Sequence, residues 1–88
     1  MNQPLFDPHL FLALREAARG DIQLNALSGE LRRRDTAAPA RVADALTDLR
    51  RGGYLHARAT ERHPWHRLEL TTSGTRLLAA WLAATSAA

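Results

Sequence analysis

The chain has 88 residues, a formal net charge of +3 and no cysteine. That length fits a single domain, expected to span residues 1–88 with an ordered core over about 8–84. A disulfide framework and a thiolate metal site are excluded, and no apolar run reaches the ~18 residues of a membrane span. A secretory signal is not expected, since Met1-Asn2-Gln3 is neither cationic nor followed by a long apolar region. A reducing, cytoplasmic setting fits these features.

All 12 basic side chains are arginine. Codon bias in a GC-rich genome is the plain reason. The physical consequence holds either way, because the guanidinium is a planar fork of donors that matches phosphate and guanine edges. The mild net charge permits nucleic-acid binding without demanding it.

Asp7 followed by Pro8 is a helix start, an acid cap and then proline at the first helical position. Helix 1 is expected over residues 8–18 or 19, with Gly20 as its stop. Ile22, Gln23 and Leu24 form a brief extended piece. Asn25 is positioned to cap a second helix over residues 26–34, with Leu27 and Leu31 as its inward i, i+4 pair. Gly29 inside that segment weakens it by up to about 1 kcal/mol. Asp35, Thr36 and Ala37 read as a turn. Thr36 is expected to cap a third helix that has Pro39 in its first turn and ends at Arg51. Val42, Ala45, Leu46 and Leu49 make its apolar stripe, opposite Arg41, Asp44, Thr47, Asp48 and Arg51.

After Gly52-Gly53, Leu55, Ala57 and Ala59 alternate with His56, Arg58 and Thr60. Leu68 and Leu70 alternate with Arg67 and Glu69. A loop over residues 61–64 sets Leu55 opposite Leu70, Ala57 opposite Leu68, His56 opposite Glu69 and Arg58 opposite Arg67. One register then satisfies every apolar pair. It also sets two arginines side by side, which is destabilising unless an anion sits between them. Thr71 is placed to cap a fourth helix over residues 72–84. The expected fold class is mainly α with a small β-hairpin, in the order α-β-α-α-β-β-α.

Two stretches carry a family resemblance. Leu46, two residues, Leu49, three residues, Gly53 and the apolar Tyr54-Leu55 resemble the recognition helix and following strand of MarR-type and PadR-type winged helix-turn-helix regulators. Leu70-Thr71-Thr72-Ser73-Gly74 is similar to their second signature, where a strand ends and the last helix begins. The resemblance covers about residues 8–84. Ala43 stands where PadR-type proteins usually carry tyrosine, and the hairpin has Arg62 but no Asp-x-Arg of the MarR type, so both affiliations stay open. The resemblance implies a homodimeric, sequence-specific transcriptional regulator, a repressor in a bacterial nucleoid, bound to double-stranded DNA. Helix 3 would enter the major groove and the hairpin would meet the backbone or minor groove. On that basis Thr36, Ala38, Ala40, Arg41 and Asp44 are the helix 3 contacts. Arg58, Arg62, His63 and Arg67 are the hairpin contacts.

Each feature has a plainer reading. The hairpin arginines also suit a solvated face. Asp44 and Asp48 would repel phosphate, or hold Arg41 and Arg51 at i, i+3 spacing. Arg32, Arg33 and Arg34 read as a basic patch, since helix 2 commonly meets the DNA backbone in the architecture that the resemblance implies, but cations at the end of helix 2, where the carbonyl dipoles point, explain them better. His63 and His66 do not make a metal pair, since the register turns His66 inward. Trp65 faces out, to stack on a base or sugar or to cover an arginine stem.

Helices 1 and 4 are apolar nearly all round, more than an 88-residue monomer covers. A two-fold interface is expected through Leu10, Phe11, Leu77, Leu78, Trp81 and Leu82. No catalytic constellation, phosphate loop or cofactor motif is found, so an enzyme is not expected. A small-molecule effector is compatible with a dimer but no residue marks one. The alternative reading is a winged-helix module for protein interaction and dimerisation without DNA binding.

Overall fold

The computed structural model describes residues 3–86. The elements run α1 (Pro8–Ala18), β1 (Ile22–Asn25), β2 (Leu31–Arg33), β3 (Thr36–Ala37), α2 (Ala40–Arg51), β4 (Leu55–Ala59), β5 (Trp65–Leu70) and α3 (Thr72–Ser86). The five strands form one antiparallel sheet in the order β3-β2-β1-β5-β4, and the helices pack on one of its faces. Among the described residues no helix is long and apolar enough to cross a membrane.

The expected order is therefore corrected. The second helix is absent, and its residues build strand β2 and a turn. The chain is an α/β fold with three helices among the described residues, not a mainly α one, and no helix-turn-helix unit precedes α2. The local cause is legible in the backbone. The Asn25 side chain accepts from Leu27 N and Ser28 N at 2.9 and 3.1 Å, but the segment then closes as a turn. Gly29 lies at φ +78°, a left-handed conformation that ends helical propagation. Gly29 N donates to Asn25 O, and Asn25 N donates to Glu30 O, so the chain folds back as a hairpin. Leu27, expected in the core, is 77% exposed, whereas Leu31 is buried.

A second reversal follows at Arg34, at φ +58°, whose N–H donates to Asp21 O. Arg33 then pairs with Thr36 across the β2–β3 turn. Thr36 is thus a strand residue, not a helix cap. The helix that follows begins later than expected, at Ala40, with Pro39 at its N-cap and no side-chain cap.

The rest of α2 follows the sequence pattern. Ala45, Leu46 and Leu49 are buried with Val42 packed beside them, and Arg41, Asp44, Thr47, Asp48 and Arg51 are exposed. Asp7 caps α1 through bonds from His9 N and Leu10 N. Helix α1 packs chiefly on α2 and on the sheet, burying Ala13, Leu14 and Ala17. Ile22, Leu24, Leu31, Leu55 and Leu68 meet these helices from the sheet's inner face. Arg33 ties β2 to α1 by an ion pair with Glu16 at 2.8 Å.

The Leu70-to-Gly74 stretch acquires a packing reason. Thr71 Oγ1 donates to Gly53 O at 2.7 Å and accepts from Gly74 N at 3.1 Å, joining the end of α2 to the start of α3. Gly74 lies against the Tyr54 carbonyl so closely that an added Cβ would overlap that oxygen. Glycine is therefore required there by close approach of two backbones.

Candidate nucleic-acid interface

The hairpin of β4 and β5 has the expected register. Leu55 faces Leu70, His56 faces Glu69, Ala57 faces Leu68 and Arg58 faces Arg67. Strand alternation then divides the sheet into two faces. Leu55, Leu68 and half-buried Ala57 point to the helices, while Arg58 and Arg67 are exposed on the outer face. Arg58 Nη1 lies 3.5 Å from Glu69 Oε2, and His56 Nε2 lies 3.8 Å from Glu69 Oε1. Glu69 thus supplies part of the negative charge that the paired arginines call for. Among the described residues Arg67 has no ion-pair partner.

Strand β5 is not an edge. It also pairs with β1, setting Gln23 opposite Arg67, Leu24 opposite His66 and Asn25 opposite Trp65. Strand β1 in turn sets Gln23 opposite Arg32. The outer face therefore carries one continuous row, Arg32, Gln23, Arg67 and Arg58, across four strands. With neighbouring strands about 4.8 Å apart, the row is about 14 Å long at the backbone.

Arg32 is the residue that sequence reasoning misplaced, having been set in a basic run at the end of an expected helix rather than in this row. Its Nε donates to Gln23 Oε1 at 2.8 Å, and its guanidinium lies 3.7 Å from the Trp65 ring centroid. Trp65 faces out as expected, and the side chain it covers is Arg32, two strands away. The signal available in the sequence was the turn chemistry of Asn25 and Gly29, which allows Leu31 and Arg32 to alternate in and out.

The hairpin tip adds Arg62 and His63, both exposed. It is held by Thr60, whose Oγ1 donates to Trp65 O at 2.7 Å and accepts from Arg62 N at 3.2 Å. The turn after β1 leans on this tip through Ala26 N donating to Pro64 O. A groove of about 420 Å³ between tip and outer face is lined by Gln23, Thr60, Glu61, Arg62 and Arg67.

The helix 3 residues are not gathered in the same way. Thr36 lies on β3, Ala38 is half-buried beside Leu31, and Ala40, Arg41 and Asp44 occupy the exposed first turns of α2. Arg41 is near Glu16 and Arg33 in a small cleft with His9. The i, i+3 pairs of Asp44 and Asp48 with Arg41 and Arg51 are not formed among the described residues.

The proposed dimer residues divide as well. Leu77 and Trp81 are buried within the chain's own core, Trp81 only 4% exposed, which corrects their assignment to an interface. Phe6 and Phe11 stand at 5.4 and 6.4 Å from the Trp81 ring. Leu10, Phe11 and Leu78 are partly buried against the core. Leu82, at 42% exposure, remains open on α3.

No protein-family model matches the chain, and neither a curated protein nor a solved structure matches it.

Proposed function

We infer that this domain binds double-stranded DNA, with the arginine-bearing hairpin of β4 and β5 as its principal contact. The observation that carries this reading is the outward pairing of Arg58 with Arg67, continued by Arg62 at the tip. Three guanidinium groups on one hairpin, opposed by Glu69 and Glu61, suit a phosphate backbone. Helix α2 contributes less. Arg41 is the cation of its first turns, and Asp44 and Asp48 repel a groove wall.

A regulatory role, and a repressor's in particular, rests on the resemblance of residues 39–55 and 70–74 to MarR-type and PadR-type regulators. Assembly as a homodimer rests on Leu78 and Leu82, one turn apart on α3, with half-exposed Phe6 against neighbouring Trp81. Sizing with light scattering at micromolar concentration should give a dimer, and a monomer removes that part of the proposal.

The test of DNA binding is anisotropy of a labelled mixed-sequence duplex over a salt series. Arg58→Ala combined with Arg67→Ala should weaken binding and flatten the log–log salt slope by about two. Equal binding by this variant removes the hairpin from the mechanism. No binding by the parent chain at low salt leaves the protein-interaction reading, which exposed Leu27 and the two acids of α2 favour.

A further inference from the structure

The hairpin is one half of the arginine surface. The other half comes from β1 and β2, which the hairpin reading does not include; the resemblance expects the residues of β2 as part of a helix rather than of this sheet. We propose that the whole outer face of the sheet, from Arg58 to Arg32, is a binding track for the sugar-phosphate backbone of duplex DNA, anchored by the Arg32–Trp65 stack. This rests on the DNA-binding reading above and extends it to a second hairpin.

Four observations carry the proposal. Arg32, Gln23, Arg67 and Arg58 are consecutive partners across the sheet, so their spacing is fixed by the ladder and not by flexible loops. The helices pack on the opposite face, where Ile22, Leu24, Leu31, Leu55 and Leu68 are buried, so no described helix covers this face. Arg32 is held in place before any ligand arrives. Its Nε is engaged by Gln23 and its guanidinium carbon lies over the Trp65 ring, which leaves the terminal amino groups without a partner among the described residues. A guanidinium fixed in this way loses less rotamer freedom on binding phosphate. Finally, the groove beside Arg67 and Arg62 joins the row to the hairpin tip, making one surface of both.

The same geometry chooses among ligands. One ring face of Trp65 is covered by Arg32, so the surface is poor in the open aromatic faces that single strands use. The face carries Gln23, Asn25, His56, Arg58, Arg67 and Glu69 around the stack, not the apolar centre of a protein interface. A row about 14 Å long compares with a major groove about 12 Å wide, so its two ends suit phosphates on facing strands. Contacts of this kind fix position and carry no base readout.

The experiment uses the full chain with Trp81→Phe as background, which leaves Trp65 as the sole tryptophan. Adding unlabelled mixed-sequence duplex should change Trp65 emission in step with anisotropy of the labelled duplex. Arg32→Ala should weaken binding roughly tenfold at low salt, as for one charge-assisted contact, and lower the salt slope by about one. Arg76→Ala, on the exposed side of α3, should leave the slope unchanged. Circular dichroism melting of each variant separates a lost contact from a lost fold. A silent Trp65 with an unchanged Arg32→Ala slope, while Arg58→Ala with Arg67→Ala still flattens it, overturns the track and leaves the hairpin reading standing. Tighter binding of single strands than of duplex overturns the choice of ligand. Failure of the parent chain to bind any duplex overturns the DNA reading itself.

Discussion

The two hairpins that share this sheet are built alike and read very differently. Each has a buried leucine row facing the helices and arginine on the outside. The β4–β5 hairpin has strands of five and six residues, and its alternation leaves one register that turns every leucine toward the core. The β1–β2 hairpin has strands of four and three residues, too short for alternation to stand out. Between them, Leu27 and Leu31 fall at i, i+4, the spacing of a helix face. The lesson is physical. Periodicity needs several repeats to mean something, and in a short segment the conformations of one or two turn residues decide the outcome.

The contrast can be broken by substitution, and the largest effect should lie where the two hairpins are tied to the helices. Gly74→Ala forces a methyl group onto the Tyr54 carbonyl, so α3 must move away from the β4 entrance. A loss on the order of 3 kcal/mol or more is expected in chemical denaturation. A loss under about 1 kcal/mol would mean that the helix start relaxes freely.

Next comes the leucine pair that imitates a helix. Leu31→Ala empties a buried site under β2 and should cost about 2 kcal/mol or more. Leu27→Ala removes an exposed side chain and should change stability by no more than about 0.5 kcal/mol. Equal losses at the two positions would restore the helical reading of residues 26–34.

The smallest expected effect has the sharpest sign. Gly29→Ala places a Cβ at φ +78°, and about 1 kcal/mol should be lost even though the space around it is open. In the interior of a helix the same change would gain about 1 kcal/mol. A stabilised variant would therefore exclude the turn.

The candidate interface was legible in the same proportion as its two hairpins. Arg58 and Arg67 could be placed opposite one another because Leu55, Ala57, Leu68 and Leu70 allow one register. Their relief by Glu69 is a diagonal neighbour contact, within reach of the same pattern. Arg32 was out of reach, because its place in the row depends on β1 pairing with both β2 and β5. The stack on Trp65 joins residues 33 positions apart, and no local pattern encodes such a pair. Trp81 shows the same limit for packing. An apolar helix announces that it will be buried, but Phe6 and Phe11 against the Trp81 ring make part of that burial internal to the chain.

By itself the sequence determined α1 with its Asp7 cap, the buried stripe and end of α2, the β4–β5 register, and the Thr71 start of α3. Each of these rests on contacts within one element or between neighbours joined by a short loop, where steric and capping rules act on adjacent residues. Only the tertiary structure decided that residues 31–37 join the sheet, that α2 begins at Ala40, and that Arg32 completes an arginine row. Those outcomes turn on the pairing of β1 with β5. Once Gln23, Leu24 and Asn25 find partners across 40 or more residues, the open edge of β1 is a ready template for β2. A ladder of backbone hydrogen bonds and the burial of Leu31 then outweigh the weak helical preference of a segment interrupted by glycine.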